Sequence, residues 1–113
     1  MQRGDVYQAD LNPSRDSEQA GTRPVIVVSR DAINENSPVV VVVPLTGAEN
    51  KRKIYPSQVL LKAGTGGLAK DSVVLGEQIR AISKSRLSTQ LGHLKLEQMG
   101  MISSALKITL DLP

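Results

Sequence analysis

Short apolar blocks separated by polar turns make up most of the chain, and only the C-terminal segment changes to a helical period. Val6-Tyr7-Gln8-Ala9-Asp10-Leu11 reads as a first strand, and Asn12-Pro13 ends it. A long polar stretch, Asn12 to Arg23, leads into a second strand, Pro24 to Ser29, and Asp31 to Glu35 reads as one helical turn. Pro38 to Gly47 is the strongest strand. Its consecutive valines, Val39 to Val43, suit a strand covered on both faces, and their β-branched side chains favour strand over helix. Pro44 has no N–H to give a ladder, which predicts an edge or a bulge there. A strand over Ser57–Leu61 follows. Asp71–Leu75 and Glu77–Ile82 then read as two strands, or one bent strand, around a bulge at Gly76. Ser83 to Leu87 is polar and turn-like.

From about Lys95 to Leu110, the residues Leu96, Met99, Ile102, Leu106 and Leu110 fall on one helical face, which predicts an amphipathic helix packed on the sheet. Gly100 within it costs about 1 kcal/mol relative to alanine, so the helix depends on that packing. The expected fold is α+β and mainly β, with antiparallel strands and a closing C-terminal helix, in one domain over residues 1–113.

Two strand ends carry candidate chemistry. Pro24 fixes its own φ and biases Arg23 toward extended geometry, so a cation is held at a rigid strand mouth. At the other, Leu45-Thr46-Gly47 leaves a hydroxyl at an exposed strand end. The loop between strands that contains Glu18-Gln19-Ala20-Gly21-Thr22 is of a length more often functional than idle. The loop Gly47–Pro56 carries Lys51-Arg52-Lys53, in sequence close to Thr46; three such cations ordinarily form a solvated face. Ala63-Gly64-Thr65-Gly66-Gly67 lacks the spacing and the strand-to-helix setting of a phosphate loop and reads as a plain turn.

Composition narrows the chemistry. The chain has 113 residues, a net charge of +3 and no cysteine, which removes disulfides, thiol nucleophiles and thiolate metal sites. Residues 57–113 hold seven basic against four acidic side chains, a surplus that permits a phosphate-bearing partner. Tyr7 and Tyr55 are the only aromatics, too few for a base-stacking RNA-recognition sheet. No apolar run approaches a membrane span and no signal peptide is expected; a reducing cytoplasm is compatible. The single histidine, His93, has no second ligand at metal spacing and no evident orienter, so it is expected at the surface or capping a helix. No metal or other cofactor is expected. Nor can the paired carboxylates of a glycosidase be located.

Phosphodiester cleavage in RNA asks less of a protein. The 2′-hydroxyl is already beside the scissile phosphate; it needs alignment, and the extra negative charge on the phosphoryl oxygens needs stabilising. An arginine fork matches two phosphate oxygens with a permanent charge, and a threonine hydroxyl adds a hydrogen bond. Arg23 and Thr46 fit those roles, provided that their strands are neighbours. A guanidinium is a poor base, so the acceptor of the 2′-hydroxyl proton stays unassigned, with Glu18 as one candidate and as a tether for Arg23 otherwise.

Across essentially its whole length the sequence resembles the MazF/PemK/Kid group of toxin endoribonucleases. The stretches that carry this are Arg3-Gly4-Asp5-Val6-Tyr7, Asp10-Leu11-Asn12-Pro13, Ser17 to Ser29, Val43-Pro44-Leu45-Thr46, Gly67-Leu68, Asp71 to Arg80, and Ser83-Lys84-Ser85-Arg86-Leu87. The resemblance implies an SH3-like barrel with helices, forming a cytoplasmic homodimer. It also implies metal-free, sequence-specific cleavage of single-stranded RNA to 2′,3′-cyclic phosphate and 5′-hydroxyl ends. Arg23 and Thr46 take the catalytic positions. Glu18, Gln19, Thr22, Glu77 and Gln78 match positions that line the RNA groove or hold its loop, and Lys51, Arg52 and Lys53 fall in a phosphate-contacting loop. Arg80 and Arg86 take structural roles. The implied partner is an antitoxin whose acidic, disordered tail lies in the RNA groove. Two rivals stand beside this reading: a gyrase-poison-like binding protein on the same fold, and a catalytically silent RNA- or peptide-binding barrel.

Overall fold

The computed structural model describes residues 1–113. Seven strands run β1 (Asp5–Asp10), β2 (Thr22–Val27), β3 (Val39–Gly47), β4 (Gln58–Leu61), β5 (Ser72–Leu75), β6 (Arg80–Ser83) and β7 (Leu87–His93). A short helix α1 (Asp31–Asn36) joins β2 to β3, and α2 (Leu96–Leu110) closes the chain. The strands pair antiparallel in the order β4-β5-β3-β2-β1-β7, with β6 also on β3. The fold is α+β and mostly antiparallel sheet, as the apolar blocks predict. No helix is long and apolar enough to cross a membrane.

β3 is the hub. Val39–Val42 pair with β6, Leu45–Gly47 pair with β5, and Val42–Pro44 pair with β2 on the other side. Pro44 is therefore neither on an edge strand nor at a bulge of its β2 ladder. It sits where β3 changes partner from β6 to β5, the one place where a missing N–H leaves no ladder bond unmade. The changeover is spanned by a 3₁₀ turn, Gly76–Gln78, in place of the predicted bulge, and it takes Glu77 and Gln78 out of the sheet. Gly76 fits there because a Cβ would collide with the Ser57 carbonyl oxygen.

The valine run is covered on both faces from Val40 on, while Val39 at its start is exposed. Val43 and Leu45 join Val6, Ile26, Val74, Met99 and Ile102 in the larger core, under α2. Val40 and Val42 join Ala9, Leu11, Val25, Val27 and Ile82 on the opposite face. The α2 stripe is shorter than the periodicity predicts: Met99, Ile102, Ala105 and Leu106 are buried, whereas Leu96 is 92% and Leu110 49% exposed. Those two leucines overhang the sheet at either end of the helix. The strand β7 is the element that the sequence pattern does not predict. Its residues Ser88, Thr89 and Gln90 are exposed on an outer strand, so no buried face imposes an apolar alternation.

Two anchors fix the long β1–β2 connection. Arg86 donates from Nη1 to the carbonyls of Asp10 and Asn12. Gln78 accepts from the Gln19 N–H at 2.9 Å and donates to the Ser17 carbonyl at 3.2 Å. Arg86 thus has the structural role expected of it, within the chain.

Candidate active site

Register brings Arg23 and Thr46 together. The β2–β3 ladder pairs Val27 with Val42 and Val25 with Pro44. Continued by two residues, it sets Arg23 opposite Thr46, a pairing that puts both side chains on one side of the sheet. Both line one cavity of about 260 Å³, together with Gln8, Pro24, Leu45, Gly47, Gly67, Leu68, Lys70 and Ser72.

The groups in this cavity are set up to meet an anion. Arg23 spends only Nε, on the Ala20 carbonyl at 3.1 Å, and both of its Nη groups are unpaired. Thr46 is buried, and its Oγ1 accepts from Asn50 Nδ2 at 3.1 Å, which orients the hydroxyl and leaves its proton to donate. The charged lining residues are Arg23 and Lys70, and no carboxylate is among them. Lys70 is held at the rim by Glu49, Nζ to Oε1 at 2.6 Å. The bond from Lys70 holds the Glu49 carboxyl below the usual carboxylate range. Gly47 makes room for this pair, because a Cβ there would run into the Glu49 carboxylate.

Lys70, Gln8 and Ser72 carry no local signal in the sequence. Lys70 precedes a strand whose partner, β3, lies more than twenty residues earlier in the chain, and only the pairing of Ser72 with Gly47 delivers it to the cavity.

The remaining candidates divide. Glu18, Gln19, Glu77 and Gln78 line a second hollow of about 310 Å³ with Leu11, Pro44, Ile79 and Arg80. Glu18 Oε1 accepts the Arg15 N–H at 2.5 Å, so it neither tethers Arg23 nor lines the Arg23–Thr46 cavity. Glu77 accepts from Ser57 Oγ at 2.8 Å and from Gln58 Nε2 at 2.7 Å, an anchor between β4 and the 3₁₀ turn. The buried Gln19 Oε1 has no hydrogen-bond partner. Thr22 is exposed, paired across to Asp10, and lines neither hollow. Lys51, Arg52 and Lys53 also lie outside both; Lys51 and Lys53 place their ammonium groups 5.9 and 5.2 Å from the Tyr55 ring centroid. His93 has the orienter that its sequence context does not reveal: Nδ1 lies 2.6 Å from Oδ1 of the buried Asp5.

Fold and site together define a small antiparallel β protein with a cationic, hydroxyl-bearing cavity at a strand crossing, a class suited to binding phosphate. The comparisons with known proteins give the family. Residues 2–110 match the PemK-like, MazF-like toxins of type II toxin–antitoxin systems, and the chain belongs to that family. It is 46% identical over 112 residues to the endoribonuclease MazF of Staphylococcus saprophyticus, covering 99% of this chain and 92% of that protein. Among solved structures it is similar to an endoribonuclease in complex with its cognate antitoxin from a mycobacterial species, with a TM-score of 0.82, 30% identity and coverage of 100% and 97% of the two chains. It is also similar to MazF from Deinococcus radiodurans, with a TM-score of 0.82, 27% identity and coverage of 98% and 96%.

Proposed function

We propose that this chain is an endoribonuclease toxin that cuts single-stranded RNA at short sequences by attack of the 2′-hydroxyl on the adjacent phosphate, leaving 2′,3′-cyclic phosphate and 5′-hydroxyl ends. The observation that carries this reading is the shared cavity of Arg23 and Thr46, cationic and free of carboxylates. The two free Nη groups of Arg23 match two phosphoryl oxygens, and their attraction grows as charge accumulates in the pentavalent transition state. Thr46 donates to a further oxygen and fixes the phosphate for in-line attack. Lys70 adds charge at the rim. The reaction uses the nucleophile already present in RNA, so the cavity acts by electrostatics and positioning. Glu18, bonded to the Arg15 N–H, has no role as the base in this scheme.

Membership of a toxin–antitoxin family supports an antitoxin as the partner that silences the enzyme. An acidic segment laid across Arg23 and Lys70 would compete directly with RNA. The active unit is a homodimer in this reading, which sedimentation of the free protein tests: a species of twice the chain mass is expected.

Incubation of the purified protein with long single-stranded RNA in excess EDTA, followed by mapping of the ends, tests the activity. Discrete cuts ending in cyclic phosphate are expected; intact RNA from folded, antitoxin-free protein refutes the reading. Arg23→Ala should lower the single-turnover rate by two to three decades, equivalent to roughly 3–4 kcal/mol of transition-state stabilisation. Arg23→Lys should recover little of it, because an ammonium lacks the planar fork.

A further inference from the structure

The hollow of about 310 Å³ between the β1–β2 connection and the 3₁₀ turn Gly76–Gln78 has no task in the cleavage step. We propose that it seats the base of a nucleotide next to the scissile phosphate and selects a base that carries an exocyclic amine. Gln19 accepts from that amine, and Arg80 donates to the ring nitrogen beside it. This assignment rests on the nuclease reading and names what the enzyme reads beside the bond it cuts.

The sheet sets the position. Val42, Pro44 and Thr46 alternate along β3, so their side chains stand on one face. Pro44 lines the hollow, and Thr46 lines the cavity shared with Arg23. Two strand residues separate them, roughly 6–7 Å. Arg80 pairs with Val42 across the β3–β6 ladder and so stands on that face as well. A nucleotide whose phosphate lies between Arg23 and Thr46 therefore has the hollow within reach.

The polar groups of the hollow are unequally spent. Both oxygens of Glu77 are taken, by Ser57 and Gln58, and the Gln78 amide is bonded to the β1–β2 connection through its oxygen and its nitrogen. Gln19 differs. Its Oε1 is shut off from solvent and accepts no hydrogen bond, although its backbone N–H is held by Gln78. An unpaired buried acceptor costs its full desolvation, so one held in this state is poised for a donor from outside the chain. Arg80 is half-buried at the same hollow and makes neither a hydrogen bond nor an ion pair. Arg86, by contrast, is spent on the carbonyls of Asp10 and Asn12.

Leu11, Pro44 and Ile79 supply apolar walls. Such walls around one unpaired acceptor and one unpaired donor match a base, whose faces are apolar and whose edge carries both kinds of group. They do not match a phosphodiester, which has no proton to give Gln19. Among the four common RNA bases, uracil alone lacks an exocyclic amine. Its single N–H is flanked by two carbonyl oxygens, which the Glu18 and Glu77 carboxylates at the hollow repel. An amine stands out beyond the ring edge and reaches a recessed acceptor without bringing such oxygens along.

Cytosine and uracil share a ring and differ at C4 and the adjoining N3, so they isolate this choice. The experiment measures binding of 2′-O-methyl oligo(C) and oligo(U), which lack the nucleophile, by fluorescence anisotropy. Wild-type protein should bind oligo(C) roughly tenfold more tightly than oligo(U). Gln19→Met, close in length and without the amide, should bring that ratio to about one. Its melting temperature should hold or rise, because no internal bond of Oε1 is lost. A purely structural Gln19 predicts the reverse, a lower melting temperature with the ratio kept. Arg80→Gln removes a cation that nothing in the chain pairs with, and it should weaken oligo(C) more than oligo(U).

Equal binding of the two oligonucleotides by wild-type protein, or a ratio that survives Gln19→Met, overturns the proposal and leaves Gln19 Oε1 as a hydration site. Equal binding together with discrete RNA cuts removes this base site and keeps the nuclease reading. Absence of cuts together with a Gln19-dependent preference for oligo(C) removes the nuclease reading and leaves a base-binding hollow.

Discussion

At the scale of single residues, the cavity depends on which groups are already spent. Arg23 has one hydrogen bond and two free Nη groups, and Lys70 is held by Glu49. Lys70→Gln should therefore reduce kcat/KM by about tenfold through weaker attraction of RNA, with folding intact, because its only ion pair is an exposed one worth little to stability. Glu49→Gln should act in the opposite sense and strengthen RNA binding at low salt, since it frees the lysine; filter binding across a salt series separates the two. A different residue reports on the opposite core. Burial, and next the Asp5 charge, push the Tyr7 phenol above its ordinary value. The neutral phenol is the form favoured in the folded state, so the stability it contributes is complete below the ordinary tyrosine pKa and lost as pH rises through the folded one. Absorbance titration of a Tyr55→Phe variant should show a midpoint above about 10, and urea midpoints should fall across that alkaline range.

At the scale of elements, glycines separate two kinds of requirement. Gly100 lies exposed in α2 and nothing stands within 4 Å of where its Cβ would be. Gly100→Ala should raise stability by roughly 1 kcal/mol and the melting temperature by several degrees. Gly67→Ala should do the reverse and lose more than 1 kcal/mol, because φ is 79° and the Cβ would meet a carbonyl oxygen. Thermal unfolding of both variants checks the contrast. Elements also show what the sequence discloses and what it hides. Strands with a buried face, such as Val39–Gly47, are legible because burial imposes apolar residues. Strand β7 is not, since its outer residues meet water. The stripe on α2 misleads at both ends, because helical periodicity reports which residues share a face but not how far the sheet extends beneath it. The pairing of Arg23 with Thr46 lies between these cases. Proline and glycine neighbours mark each strand end, but the register that makes them meet is fixed by valines two to four residues away. Lys70 is invisible to any local pattern, since it reaches the cavity through a strand pairing distant in sequence.

At the scale of the whole molecule, the cations Arg23 and Lys70 meet at one face, where they line the same cavity. The chain's net charge of +3 is small, so attraction of RNA depends on where the cations stand more than on their number. The framework beneath that face is β3, paired to β2, β5 and β6. Pro44 breaks its record of backbone amides in two. Alternate amides face this side of the strand, Val40 and Val42 toward β6 and Thr46 toward β5, with Pro44 between them. Deuterium exchange can thus time the two halves of one strand separately. If the Arg23–Thr46 cavity opens by release of β5 alone, the Thr46 amide will exchange at lower free energy than those of Val40 and Val42, and RNA bound in the cavity will slow only the former. Equal protection in both halves would mean that the strand, and the Arg23–Thr46 cavity with it, opens only when the entire sheet unfolds.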